Sequence, residues 1–436
     1  MEKSACLPLK RRLTIFSIIV LCACMSLAVQ RAQAQVLTTL HNFSGGADGA
    51  FPIGGLTLGP GGHLYGTTAT GGNLTGECLD LGGCGEVFRL TRSAGGWTLV
   101  PLFSFSPLFG AGSTPYAPVT MAPDGTLYGT TTMGGSPACS FGCGLVFHLT
   151  PPSSPCLTPL CSWTETVIYY FQSTTDGYEP FGPVTLDVAG NIYGTTAQGG
   201  ANSAGTVFKL THSGGGWTKT TLHDFVGAGD GARPQAGVIF DAAGNLYGTT
   251  TQGGDLSCDP SLGCGTVYEL SPSPSGWTET TLYTFENNSV GVNPYAGVIF
   301  DSAGNLYGAA SGGGMGSGTV YELQPSNGGW TVSVLETFTG IGGPGASLTM
   351  DAAGNLYGTT SGSGAHFRGS VFKLTKSGSQ WLLTTLHSFA DDDGGGYNPE
   401  DSVVLDASGN IYGTTTWGGT GNCPTHGCGV AFEITP

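Results

Sequence analysis

A three-part pattern recurs along this chain, and its last copy is divided between the two ends. Leu/Ile-Tyr-Gly occurs seven times, at Tyr65, Tyr128, Tyr193, Tyr247, Tyr307, Tyr357 and Tyr412. A second segment follows each copy, from GEVFRL at Gly85 to GVAFEI at Gly429. A third follows six of them, beginning at Trp97, Trp163, Trp217, Trp277, Trp330 and Trp381. Its seventh copy is missing after Gly429 and stands instead at the other end, where VLTTLHNF (Val36 to Phe43) matches LLTTLHSF (Leu382 to Phe389). A repeat split in this way suits a closed ring, in which the N-terminal strand completes the last unit, and is not needed by an open solenoid.

Each unit reads as four short strands. In the fourth copy these are AGVIFD (Ala236–Asp241), NLYGTTT (Asn245–Thr251), GTVYEL (Gly265–Leu270) and WTETTLYTF (Trp277–Phe285). All are rich in β-branched and aromatic residues and are separated by Gly, Pro, Asn and Asp clusters. No helical apolar period runs through the repeats. The expected fold is therefore all-β: a seven-bladed β-propeller with four antiparallel strands per blade, closed by the N-terminal strand joining the last blade. In the D-x-x-G-N turn between the first two strands, Asp caps backbone N–H groups and Gly supplies a positive φ. Asn accepts a left-handed conformation. Leu and Tyr then fill the space between blades, and the small Gly and Thr let blades approach closely.

Residues 1–34 read as a signal peptide and residues 35–436 as one domain. Lys3, Lys10, Arg11 and Arg12 precede an apolar run, and Ala32-Gln33-Ala34 offers a cleavage site before Gln35. A lipidated cysteine near Cys22 and Cys24 is the lesser alternative. Five of the 13 Lys and Arg lie in the leader but only Glu2 of the 29 acids, so the mature chain carries 8 basic against 28 acidic residues, a net −20. Such a chain cannot build a large basic face for nucleic acid or anionic membrane. A secreted or periplasmic monomer is expected, free of the membrane once the leader is cut.

Ten cysteines remain after the leader, in close pairs: Cys78 with Cys84, Cys139 with Cys143, Cys156 with Cys161, Cys258 with Cys264, and Cys423 with Cys428. Local pairing in an exported chain points to five disulfides closing small loops. Zinc would need two such pairs to converge, or histidines beside them.

In a propeller the loop leaving the fourth strand shares a face with the loop between strands two and three. The first set carries Asp48, Asp176, Asp230, Asp392 and Asp393, with Tyr116, Tyr178, Tyr295, Tyr397 and Trp417 as aromatic neighbours. The expected site places these acids around the mouth of the central channel, with Asp48, Asp176, Tyr178, Asp230, Asp392, Asp393, Tyr397 and Trp417 as ligand-binding candidates. A glycan stacks on aromatics while carboxylates take its hydroxyls; a protein partner docks on the same face. Loop carboxylates and carbonyls also suit calcium, although Asp-Gly is ordinary turn chemistry. His41, His223 and His387 occupy one position in three blades and read as exposed edge residues. No nucleophile elbow, zinc-protease helix motif, phosphate loop or cofactor fingerprint occurs, so no cofactor and no resident metal are expected. The functional expectation is a secreted binding propeller. The rivals are a polysaccharide hydrolase or lyase using channel-mouth carboxylates, and a structural cell-surface module.

The succession DAAGNLYGTTTQGG, GTVFKLT, WTETTLYTF and DGA-x-P resembles the GloVer tandem-repeat family of exported bacterial proteins, over Val36 to Pro436. That resemblance implies an extracytoplasmic repeat protein of undefined activity and supplies no catalytic residues. Some members look as though they carry a C-terminal anchor, which is not expected here. Blades one and two depart most, with GPGGHLYG and APDGTLYG at the turn.

Overall fold

The computed structural model describes residues 35–436 except 81, 107–110, 153–162, 260, 288, 314–315, 392–393, 422 and 424–425. The proposed signal peptide, Asp392, Asp393, Cys156 and Cys161 lie outside the described residues. Seven four-stranded antiparallel sheets form a β-propeller. The described helix is confined to Pro60–Gly62 and Glu77–Asp80.

In the fourth blade the strands are Ile239–Phe240, Leu246–Thr250, Thr266–Ser273 and Gly276–Thr284, paired in that order. First strands line the central channel, where Thr185, Ile239 and Ile299 face one cavity. They are shorter than the sequence suggested: ahead of Ile239 the carbonyls of Ala236 and Val238 accept from Thr195 and Thr185 of the preceding blade rather than from ladder partners. The seventh blade is completed by the N-terminus: Val36–Asn42 pairs antiparallel with Val430–Thr435. A bulge interrupts this pairing between Thr39 and His41, and the same bulge falls between Val207 and Phe208 and between Val267 and Tyr268. The extra residue is Leu40, Leu222 or Leu282, and the bulge re-aims it into the core.

Aromatic rings tie each blade to the next. Phe43, at the end of the seventh blade's outer strand, meets Phe88 of the first blade at 5.2 Å. Phe105–Phe147, Phe171–Phe208, Phe225–Tyr268, Phe285–Tyr321, Phe338–Phe372 and Phe389–Phe432 continue the circuit at 4.8–5.3 Å. Such pairs contribute about 0.5–1.5 kcal/mol each beyond the area they bury.

The repeated turn works mostly as the sequence implies. Asp241 Oδ1 accepts from Ala243 N (2.8 Å) and Asn245 N (2.9 Å), while Oδ2 accepts from Asn245 Nδ2 (2.8 Å) and Tyr247 OH (3.2 Å). Gly244 has φ +88°. Two expectations need correction. Asn245 is not left-handed; it is there because its amide reaches back to the aspartate. Gly248 does not serve the neighbouring blade. A Cβ there would sit 2.4 Å from the hydroxyl of Tyr268, its partner on the adjacent strand. Thr249 joins the blades by a hydrogen bond, donating to Ala296 O at 2.9 Å, as do Thr67 to Ala117 O and Thr195 to Ala236 O.

Candidate functional site

Each fourth strand leads into a loop that runs inward to the channel, and a proline marks its last turn. The residue before that proline has a positive φ in six blades: Phe51, Thr114, Glu179, Arg233, Asn293 and Asn398. Side chains avoid this conformation. It persists here because both backbone groups are committed to neighbours. Arg233 N donates to Ala204 O of the preceding blade (2.8 Å), and Arg233 O accepts from Thr251 N of its own blade (3.2 Å). The proline ring then packs on the glycine that opens the preceding blade's third strand; a Cβ on Gly265 would lie 2.7 Å from Pro294 Cδ and 2.4 Å from Thr250 O. The loop's end is thus held rigidly where it meets the channel.

The three residues after each proline build the channel mouth. Most of them line a cavity of 380 Å³. The third of these positions is Gly, Pro or Ser, and the second is Gly or Ala in six blades: Gly54, Ala117, Gly182, Ala236, Ala296 and Ala346. The seventh blade has Asp401 there. The first position is different in nearly every blade: Ile53, Tyr116, Phe181, Gln235, Tyr295, Gly345 and Glu400. Tyr116 and Phe181 meet edge to face at 5.3 Å, and Tyr295 is 48 % exposed. The mouth therefore has an aromatic arc on blades two, three and five and an acidic sector on blade seven.

Asp401 is half-buried in the channel wall, with its carboxyl packed into protein. Burial raises its pKa to about 6, against the lowering effect of a bond from Ser402 N (2.5 Å), with the Glu400 charge adding to the rise. The carboxyl lies against Gly55 of the first blade, at the seam where the ring closes. Glu400 is exposed and accepts from Asn398 Nδ2 (2.7 Å) and Thr416 Oγ1 (3.1 Å). Burial, reinforced by the Glu400 charge, raises the pKa of Tyr116, so the acidic and aromatic sectors are within electrostatic reach.

The described acids expected from sequence, Asp48, Asp176 and Asp230, do not line this cavity. Each turns back onto its own loop. Asp48 accepts from Ser44 N (3.0 Å) and pairs with His41 Nε2 (2.9 Å). Burial opposes ionisation of Asp48, but the bonds from His41 and Ser44 outweigh it and its pKa is lowered. Asp230 pairs with His223 Nε2 (2.9 Å) and accepts from Val226 N (2.9 Å). Asp176 takes Tyr169 OH, Gln172 N and the buried Lys219 ammonium, at 2.9–3.1 Å. His41 and His223 are accordingly half-buried anchors rather than free edge residues, and His387 stacks edge-on against Phe389. Tyr178 bonds Gln198 Oε1 (2.7 Å) and lines a separate cavity with Phe141 and Glu179. Tyr397 lies under Arg368 (4.8 Å) and bridges to Trp417, whose ring meets Phe51 at 4.9 Å.

Four of the five expected disulfides are formed, Cys78–Cys84, Cys139–Cys143, Cys258–Cys264 and Cys423–Cys428, all in loops between second and third strands. The fifth expected bridge, between Cys156 and Cys161, falls in the segment 153–162 outside the described residues and is not among the four. In sequence Cys156 and Cys161 fall between a third strand, Leu145–Thr150, and a fourth, Thr164–Tyr170, unlike the other pairs. Among the described residues no group of three or more His, Cys, Asp or Glu is placed to hold a metal ion, and no helix is long and apolar enough to cross a membrane. The post-proline ring was legible in principle: aligned on the proline, the seven copies vary most at the next residue, and only one carries an acid at the second.

The family model described as the Gloeobacter/Verrucomicrobia repeat matches residues 29–166, 157–346 and 310–436. No curated protein matches the chain. Among solved structures, the chain is similar to the extracellular domain of a one-component system from B. thetaiotaomicron, at 11 % identity and TM-score 0.51 over 91 % of this chain and 40 % of that one. It is also similar to a Bacteroides uniformis protein described as a 6-phosphogluconolactonase, at 15 % identity and TM-score 0.46 over 76 % of this chain and 84 % of that one. A Thermus thermophilus protein described as an oxidoreductase (glucose dehydrogenase) matches at 15 % identity and TM-score 0.41, over 92 % of this chain and all of that one. At 11 % identity the likeness to the extracellular domain is one of fold alone.

Proposed function

The chain belongs to the Gloeobacter/Verrucomicrobia repeat family, and we propose that it is an exported binding module that takes a glycan at the mouth of its central channel. The observation that carries this reading is the ring after the prolines. Three aromatic side chains line one opening together with Asp401 and Glu400, on loops fixed by interblade bonds, and the rest of the lining is small or aliphatic apart from Gln235, Thr185, Ser347 and Ser402. Flat aromatic faces suit the C–H faces of a sugar ring, and carboxylate oxygens suit its hydroxyls. The disulfides fit an oxidising compartment, as does the leader-like sequence ahead of Gln35.

Binding is favoured over cleavage by the placement of the acids. Glycoside hydrolysis sets two carboxyls on opposite sides of one bond. Asp401 and Glu400 are consecutive on one wall, and Glu400 is already held by Asn398 and Thr416.

The test is a thermal-melt screen of the protein lacking its leader, against neutral, acidic and amino oligosaccharides, with and without calcium. A ligand specific to the native state raises the midpoint by mass action. The expected result is a rise with one glycan class that Tyr295→Ala removes. A rise that persists in Tyr295→Ala, or none across the panel, overturns the mouth as a glycan site and favours a protein partner. Product release in the same mixtures would instead favour the enzyme.

A further inference from the structure

Asp401 stands at a position where the other six blades keep Gly or Ala. A methyl group satisfies the fold there, so the carboxyl is not required by packing. Among the described residues the hydrogen-bond donors to that carboxyl belong to the neighbouring Ser402, and none is a cation. Among the described residues no Lys, Arg or His lines the cavity, and the second acid there, Glu400, adds charge of the same sign. A carboxylate packed into protein without a cation is costly, and a positive partner relieves the cost more fully than a neutral hydroxyl does. The other arc of the mouth offers Tyr116, Phe181 and Tyr295, whose ring faces attract cations. The whole chain carries a net charge of −16, which steers cationic ligands inward and repels uronates and sulfated sugars.

We infer that the group received at the channel mouth is a positively charged amine held between Asp401 and the aromatic arc, so that the bound glycan is an amino sugar whose nitrogen is not acylated. The inference rests on the mouth being a glycan site, and its chemistry is separable from that reading.

Isothermal titration with a glucosamine oligomer, the N-acetylated oligomer of equal length, and tetramethylammonium separates the two. The amine oligomer is expected to bind at least about tenfold more tightly than its acetylated counterpart, the equivalent of one modest charge contact. Asp401→Asn should abolish that difference while both oligomers still bind. Asp401→Ala, the residue type of four other blades, guards against misfolding and should do the same. Equal affinity for the two oligomers overturns the amine inference and leaves the glycan reading intact. Binding of tetramethylammonium alone, lost in Asp401→Ala, supports the amine and removes the glycan. Binding of none of the three overturns both.

Discussion

Glu86 shows how one residue can depart from a repeat and leave its mark on stability. Its counterparts in the other blades are mostly hydroxyl residues, and three of these meet the second strand hydroxyl to hydroxyl: Thr196–Thr206, Thr250–Thr266 and Thr360–Ser370, each at 2.8 Å. In the first blade the pair is Thr68 and Glu86, both buried, and Thr68 Oγ1 and Glu86 Oε1 have no partner among the described residues. Burial, with the Asp48 charge, raises the pKa of Glu86 to about 9. Between the unfolded value near 4.5 and this folded value, the native state holds the extra proton. The stabilising effect is therefore complete below about pH 4.5 and is lost as pH rises through about 9. Glu86→Thr restores the hydroxyl pair, and its advantage over the parent should grow between about pH 5 and pH 9 to a few kcal/mol in urea melts. A difference independent of pH would mean that Glu86 is not buried as described. The buried hydroxyls of Tyr268 and Tyr321 pose a milder case, since other blades have Phe there and neither hydroxyl has a partner among the described residues. Tyr268→Phe should be neutral or stabilising by up to about 1 kcal/mol, because it removes an unsatisfied polar group. The sequence displayed all three departures, but a letter in a strand does not say whether its polar atom finds a partner. For the same reason Asp48 and Asp230 read as ligand candidates, although His41 and His223 stand seven residues before them and hold them.

At the scale of the loop, the motif that repeats most visibly is not the one that shapes the candidate site. The D-x-x-G-N turn announced its capping aspartate, and Asp241→Ala should cost about 1–2 kcal/mol, the range for loss of a capping side chain. The loop that ends in proline gave a weaker signal, because only a three-dimensional ring turns seven unlike residues into one surface. A proline also biases its predecessor toward extended conformations, so the left-handed residues before it were not anticipated. Asn already occupies that position at Asn293 and Asn398 and tolerates the conformation better than a long side chain. Arg233→Asn should therefore stabilise the fold by about 0.5–1 kcal/mol, read as a higher urea midpoint with unchanged slope. A loss would show that the Arg233 side chain, whose Nε is buried without a partner among the described residues, packs more favourably than the strain costs. Gly265→Ala is expected to do the opposite and destabilise strongly. The new Cβ would meet Pro294 and Thr250 O at less than van der Waals separation, at φ +93°.

The whole molecule was the most legible scale, because the split repeat left one topology. What the sequence could not convey is how closure is distributed. The seam between the last and first blades carries the same aromatic contact as every other junction, Phe43 on Phe88, and sets the Asp401 carboxyl against Gly55 where the junction of blades four and five sets the Ala236 methyl against Gly297. Closure and candidate site therefore share one junction. Deleting Val36–Asn42 would leave Val430–Thr435 as an unpaired edge and remove the buried Leu40. Loss of that side chain alone is worth about 2–3 kcal/mol, and an open hydrophobic edge invites association between chains. The deletion should lower the melting midpoint markedly, produce oligomers on size exclusion, and abolish any binding that depends on Asp401. A circular permutant separates the strand from the position of the termini. Val36 pairs with Thr435, so a short linker can join the two ends, and new termini can open at the exposed Gly214–Gly215 turn between two strands of the third blade. If the ring needs the strand but not the free ends, the permutant melts near the parent and remains monomeric. If it melts as low as the deletion, the third blade cannot tolerate a broken hairpin as the seventh does, and the seven junctions are not energetically equivalent despite their shared sequence.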